Sequence, residues 1–167
     1  MIILGIGSNL PSTFGDRFRN IETAINCLNN YKIKIIKRSS FYETPSYPNV
    51  KNPKFINLVV QIETNLPPTD LASVIIFVEE LLERKRSKKN DPRTCDIDII
   101  DYKNKILKFE YNNLQFKVPH EELSNRNFVL IPLREILPKW KHPETSDGID
   151  KLVDKLSDEQ KKSILKI

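Results

Sequence analysis

The chain has 167 residues, 39% of them apolar and 29% charged. That balance suits one soluble globular domain with its own core and excludes a disordered chain or a disulfide scaffold, since Cys27 and Cys95 are the only cysteines. A formal charge of +5 favours a polyanionic partner, either nucleic acid or a nucleoside triphosphate.

No apolar run approaches the roughly 18 residues of a membrane span. Met1-Ile2-Ile3-Leu4-Gly5 lacks the basic region of a secretion signal, so a cytoplasmic chain away from membranes is expected. Ile2 to Ile6 reads as a short buried strand broken by Gly7-Ser8-Asn9. From Asp16 to Asn29, Phe18, Ile21, Ile25 and Leu28 recur at helical spacing. Lys32 to Phe41 alternates isoleucine with lysine, the pattern of a strand with one wet face. Pro45, Pro48 and Pro53 fill a loop. A second strand, Phe55 to Thr64, puts Phe55, Asn57, Val59 and Gln61 on one face and Ile56, Leu58, Val60 and Ile62 on the other.

Pro67-Pro68-Thr69-Asp70 opens the longest helix, with Leu71, Val74, Ile75, Val78, Leu81 and Leu82 as its core stripe. Cys95 to Tyr102 is the next strand, and Lys103-Asn104 is expected to turn it into a hairpin with Ile106-Leu107. Val118-Pro119-His120 is a further extended piece. Phe128 to Ile136 is read as a short helix interrupted at Pro132, and Ser157 with Gln160 is a capping box for a terminal helix. Strand and helix in this order suggest an α+β ferredoxin-like sandwich: a mainly antiparallel sheet with helices packed on one face and a C-terminal extension, residues 1–167 forming a single domain.

The most informative stretch is Asp96-Ile97-Asp98. Strand alternation sends both carboxylates to one face, with Cα atoms about 6.6 Å apart. Two carboxylates about 5 Å apart at a shielded site repel by roughly 3 kcal/mol, a cost that a hard divalent cation removes. On the tripeptide alone, an acidic pair facing water stands as the alternative. Arg93 lies three residues ahead, and Arg84 and Arg86 approach from the end of the long helix. Guanidinium forks opposite a metal across the same phosphates are the recurring device of phosphoryl transfer. The chain contains no Gly-x-x-x-x-Gly-Lys-Ser/Thr and no Gly-x-Gly-x-x-Gly loop, so the cations must do the cradling.

Gly7-Ser8-Asn9-Leu10, Ser39-Ser40-Phe41-Tyr42-Glu43-Thr44-Pro45, Asp91-Pro92-Arg93-Thr94-Cys95-Asp96-Ile97-Asp98-Ile99, Val118-Pro119-His120 and Asn125-Arg126-Asn127-Phe128 occur in that order. With this arrangement the chain resembles the 6-hydroxymethyl-7,8-dihydropterin pyrophosphokinases of folate biosynthesis from about residue 3 to residue 138. The resemblance implies transfer of pyrophosphate from ATP to 6-hydroxymethyl-7,8-dihydropterin, with AMP leaving. It implies two magnesium ions arriving with ATP and held by Asp96 and Asp98. It gives Arg84 and Arg93 the transferring group to stabilise. Glu79, Arg84, Arg93, Ile99, His120 and Arg126 would line the ATP site, and Thr44, Pro45, Tyr47, Phe55, Asn57 and Phe128 the pterin pocket.

Three positions depart from that family. Asn90 stands where a loop tryptophan is usual, Gln115 where an arginine is found, and Glu121 follows the histidine. The loops Glu43 to Pro53 and Arg86 to Asp91 read as lids. Among rivals, an RNA-binding module would need two or three exposed aromatics on neighbouring strands, and the aromatics here are scattered. A catalytically silent nucleotide-binding homologue is the other. The expectation is a monomeric enzyme acting on ATP and a pterin, with no nucleic-acid partner.

Overall fold

A computed structural model describes residues 1–167. Its elements are β1 (Ile2–Ser8), α1 (Arg17–Asn30), β2 (Lys34–Arg38), β3 (Tyr42–Thr44), β4 (Phe55–Glu63), α2 (Pro68–Leu81), β5 (Asp96–Tyr102), β6 (Leu107–Tyr111), β7 (Leu114–Val118), a single turn at Leu123–Asn125, α3 (Asn127–Ile136), α4 (Ile149–Asp154), α5 (Asp158–Lys162) and β8 (Leu165–Lys166).

Local chemistry sets most of the boundaries. Asp16 caps α1 by accepting from the Arg19 N–H, and Pro68 begins α2 where a missing donor costs nothing. Glu83, at φ +67°, turns the chain out of α2. The expected strand from Lys32 to Phe41 divides at Ser39-Ser40-Phe41 into β2 and β3, which pair with different stretches of the same edge of β4.

The main sheet runs β5-β1-β4-β3-β8, with β2 also on β4, and every pairing in it is antiparallel. This is the ferredoxin-like arrangement: two helix-linked halves with β1 and β4 at the centre. Helices α1 and α2 lie on one face, and Ile6, Leu58 and Ile97 form part of its buried core with Ile21, Leu28, Leu71 and Ile75. The other face carries the extension. Ile3, Val59 and Ile100 pack there with Leu130, Leu133, Trp140, Leu152 and Val153.

Two expectations are corrected. Lys103 and Asn104 do form a turn, both at positive φ, but Leu107 does not fold back on β5. It begins β6, which pairs with β7 through Asn112-Asn113, both also left-handed, to give a separate two-stranded sheet. Pro132 does not interrupt α3, which runs through it. Burial of Val129, Leu130, Leu133 and Ile136 against the sheet offsets the one backbone bond the proline cannot donate. The capping box is present in full, with Gln160 N–H donating to Ser157 Oγ and Ser157 N–H to Gln160 Oε1. No helix is long and apolar enough to cross a membrane.

Candidate functional site

The extension covers only part of the sheet's second face. At the other end, the cross-strand row Asp96–Gly7–Asn57–Tyr42 is formed by β5, β1, β4 and β3, with Asp98 opposite Gly5 in the row behind. Directly paired residues project to the same side, so the two acids share a face with Asn57 and Phe55, as the alternation predicts. The glycines keep that face open. A Cβ on Gly7 would come 2.7 Å from Asn57 Oδ1, so only glycine lets the amide lie where it does.

Arginines surround the acids. Asp96 accepts from Arg84 Nη1 at 2.8 Å and from Arg93 through Nε at 2.9 Å and Nη2 at 2.5 Å. Asp98 accepts from Arg126 Nη1 at 2.7 Å. Burial works to raise the Asp96 carboxyl, but Arg93 and Arg84 together outweigh it and hold it down at about 2. Glu79 lies beneath, 2% exposed, accepting from Arg84 Nη1 at 2.6 Å, from the Ile97 N–H at 2.8 Å and from Arg86. There burial dominates and pushes the carboxyl up against the pull of Arg84. Glu79 therefore acts as a buttress under Arg84 and β5, facing away from the open side.

His120 lies within electrostatic range of Asp98 and Arg126, and burial lowers its basicity. Its Nδ1 accepts from the Glu122 N–H at 3.1 Å, which leaves Nε2–H as the donor. The Arg93 guanidinium sits 4.9 Å over the Phe55 ring and that of Arg126 5.4 Å over Phe128. Asn57 Nδ2 donates to Thr44 Oγ1 at 2.9 Å, which orients the amide and leaves its oxygen free to accept.

Most residues singled out in the sequence converge on this face: Arg84, Arg93, Asp96, Asp98, Arg126, His120, Phe55, Asn57, Thr44 and Phe128. Three stand apart. The Ile99 side chain is buried in the helix-side core, so anything it offers a ligand is backbone. Pro45 is exposed, and Tyr47, 83% exposed, projects from the loop after β3. Asn90 takes a left-handed turn at φ +67° where an aromatic would sit badly, with Ser87 Oγ and the Lys88 N–H both donating to Asp91 beside it. Gln115 donates to Glu110 across the β6–β7 hairpin.

Two residues of the site were absent from that set, although both lie in the Gly7-Ser8-Asn9 motif. One is Gly7, for the reason given. The other is buried Asn9, whose Oδ1 accepts from the Arg93 N–H at 2.7 Å while Nδ2 donates to Ser46 Oγ and the Pro53 carbonyl. It ties the loop before β4 to the arginine loop before β5. The only available signal was an asparagine just after a strand end, too common to stand out.

The donor set suits a hard divalent cation. Asp96 and Asp98 offer carboxylate oxygens on one face, and no third acidic, histidine or cysteine side chain joins them to complete a cage. Magnesium takes its remaining positions from water and phosphate oxygens and fits such a partial set. Arginine forks beside a carboxylate pair, with a polar amide and two aromatic rings alongside, can bind a polyphosphate and a flat heterocycle side by side.

The family model of 7,8-dihydro-6-hydroxymethylpterin-pyrophosphokinase matches residues 3–138. The 2-amino-4-hydroxy-6-hydroxymethyldihydropteridine pyrophosphokinase of Aquifex aeolicus is 37% identical over 142 residues, covering 85% of this chain and 83% of that protein. The bifunctional protein FolKE of Lactococcus lactis is 42% identical over 137 residues, 81% of this chain but 37% of FolKE. The folic acid synthesis protein fol1 of Schizosaccharomyces pombe is 32% identical over 154 residues, 92% of this chain and 20% of fol1. The chain thus spans only a minor part of these last two relatives. Among solved structures, wild-type Plasmodium falciparum HPPK-DHPS superposes with a TM-score of 0.73 over 92% of this chain and 44% of that one. At 18% identity that likeness establishes the fold alone.

Proposed function

Because this chain belongs to the 7,8-dihydro-6-hydroxymethylpterin-pyrophosphokinase family, we propose that it transfers the pyrophosphoryl group of ATP to the hydroxymethyl group of 6-hydroxymethyl-7,8-dihydropterin, releasing AMP. The observation that carries this reading is the single open sheet face on which Asp96, Asp98, Arg84, Arg93 and Arg126 lie beside Phe55 and Asn57.

In this reading Asp96 and Asp98 hold two magnesium ions that arrive with ATP. Those ions supply charge neutralisation and in-line alignment of the phosphates when bound. The arginines paired with the two aspartates would bind phosphate oxygens of the nucleotide, and Asp96 and Asp98 would then be the residues available to hold the metal. Arg84, kept in place from below by Glu79, and Arg93, anchored through Asn9, neutralise charge on the transferring group. His120 Nε2–H and Arg126 donate to the nucleotide. The Asn57 oxygen, its amide fixed by Thr44, accepts from a ring N–H of the pterin, with Phe55 and Phe128 as stacking faces. Pro45 and Tyr47 close over it from the loop after β3. Catalysis is then positioning plus electrostatics, with no protein nucleophile.

We further propose that residues 1–167 work as one domain and a monomer in the cytoplasm, where the unpaired Cys27 and Cys95 stay reduced. The test is direct: purified chain, ATP, magnesium and the reduced pterin alcohol should yield AMP and the pterin diphosphate. ADP as product, or no product with nucleotide still bound, would overturn the proposal.

A further inference from the structure

The capping box at Ser157 and Gln160 opens α5, in a segment outside residues 3–138, which the family model matches. That segment is nevertheless bonded to both walls of the proposed pterin pocket. On one side, Gln160 Nε2 donates to the Asn125 carbonyl at 2.8 Å. The Asn127 amide, almost fully buried, donates to the Gln160 carbonyl at 2.6 Å and to Ser163 Oγ at 3.2 Å. Asn125 and Asn127 bracket Arg126 and lead directly into Phe128.

On the other side, β8 pairs with β3, Lys166 opposite Tyr42 and Leu165 opposite Glu43, and the Ile167 N–H donates to the Phe41 carbonyl at 2.9 Å. Thr44, which orients Asn57, is the next residue of that three-residue strand. A third tie joins the two walls. Glu135 of α3 accepts from Ser40 and Tyr42 near β3 and lies 3.4 Å from Lys166 Nζ. No hydrogen bond or ion pair links residues 157–167 to Asp96, Asp98, Arg84 or Arg93.

We propose that residues 157–167 form a strap that sets the distance between the Phe128 wall and the Thr44–Asn57 wall, and so determines pterin affinity while leaving the phosphate chemistry alone. Gln160, Asn127 and Ser163 are its positioning residues. The proposal rests on the pterin assignment made above. It has a physical basis in the brevity of the parts it holds: β3 is three residues long, and the Asn125–Phe128 stretch is a turn entering a helix. Parts this short make few bonds of their own, so the ties from residues 157–167 are a sizeable share of what positions them. A segment that merely capped the fold would raise stability without distinguishing between the two substrates.

Gln160→Glu separates these roles. Glutamate still accepts from Ser157 N–H, so the capping box survives, but it cannot donate to the Asn125 carbonyl. Asn127→Asp removes the donors to Gln160 and Ser163. Lys162→Ala, at an exposed site of the same helix, is the control. Pterin affinity is measured by pterin fluorescence with a non-hydrolysable ATP analogue and magnesium, and nucleotide affinity by calorimetry without pterin. Losing one well-placed hydrogen bond should weaken pterin binding by about tenfold, with nucleotide affinity held within about twofold. A chain ending at Leu156 should weaken pterin binding further, and Lys162→Ala should change neither. Parallel loss of both affinities, or unchanged pterin binding with a lowered Tm, would overturn the strap. If the unaltered chain binds no pterin, it is the functional assignment that fails.

Discussion

Asp96→Asn and Asp98→Asn should both abolish turnover, yet differ sharply in stability. Asp96 takes three hydrogen bonds from two guanidinium groups whose side chains are only 13% and 21% exposed. Its carboxyl is held at about 2, against an ordinary value of 3.8, so its charged form is favoured in the fold by about 2 to 3 kcal/mol. Asparagine keeps the shape but presents an NH2 to a guanidinium and leaves two poorly hydrated cations short of a counterion. Asp98 has one partner, Arg126, and is itself 30% exposed, an arrangement worth about 0.5–1 kcal/mol. For a domain of this size the two losses convert to Tm decreases of about 5–10 °C and about 1–4 °C. The sign with pH follows from the depressed value: the Asp96 contribution is fully present above the unfolded carboxylate range and disappears as pH falls toward 2. Roughly 1 kcal/mol of the gap between the original chain and Asp96→Asn should be gone by pH 3. Urea unfolding at pH 7, 5 and 3, alongside an AMP-release assay, provides the comparison. Equal destabilisation by the two variants, or an Asp96→Asn gap that stays constant down to pH 3, would refute the account of Asp96 as hub of the arginine network.

Two further outcomes are expected. Gly7→Ala would set a methyl 2.7 Å from Asn57 Oδ1 and displace an amide anchored only by Thr44. Pterin KM should rise about tenfold while Tm moves by no more than about 3 °C, because strand backbone at Gly7 accepts alanine and the disturbed group is a single side chain; an unchanged KM by steady-state kinetics would rule this out. Glu79 is the opposite case to Asp96. Burial pushes its carboxyl up to about 7, so its proton stabilises the fold and that stability is complete below 4.5 and lost as pH rises through about 7. Glu79→Gln lacks this dependence, so the Tm of the original chain should fall relative to the variant between pH 5 and 7.5; parallel curves would show that the two arginines fully compensate burial.

How far the sequence was legible depended on whether position along the chain carried the information. Alternation put Phe55, Asn57 and Val59 on one face of β4 and both acids on one face of β5, and the register confirms it. Helix starts announced themselves through Asp16, Pro68 and the Ser157–Gln160 box. The partner of Leu107 did not, because Lys103-Asn104 and Asn112-Asn113 are equally good left-handed turns and nothing local says which one closes a hairpin. Pro132 misled for a similar reason. A breaker's local cost is visible in sequence, while the packing of α3 that offsets it is not.

The hardest feature to foresee was how one sheet face is shared. Val59 and Asn57 are two residues apart on the same side of β4, yet Val59 is sealed under α3 and α4 while Asn57 lines the open site. No periodicity distinguishes them, since both obey the same alternation. What separates them is where the extension stops: hydrophobic residues from Leu123 to Leu156 cover Ile3, Val59 and Ile100, while Gly5, in Val59's own row, and Gly7, in the next, replace bulky side chains toward Asp98 and Asp96. The open ground that remains is bordered by Arg126 and Phe128 at the start of α3. Packing and chemistry thus meet at one boundary: Arg126, at the start of α3, bonds Asp98 on the open ground, while Val129 and Leu130 just beyond it seal Val59.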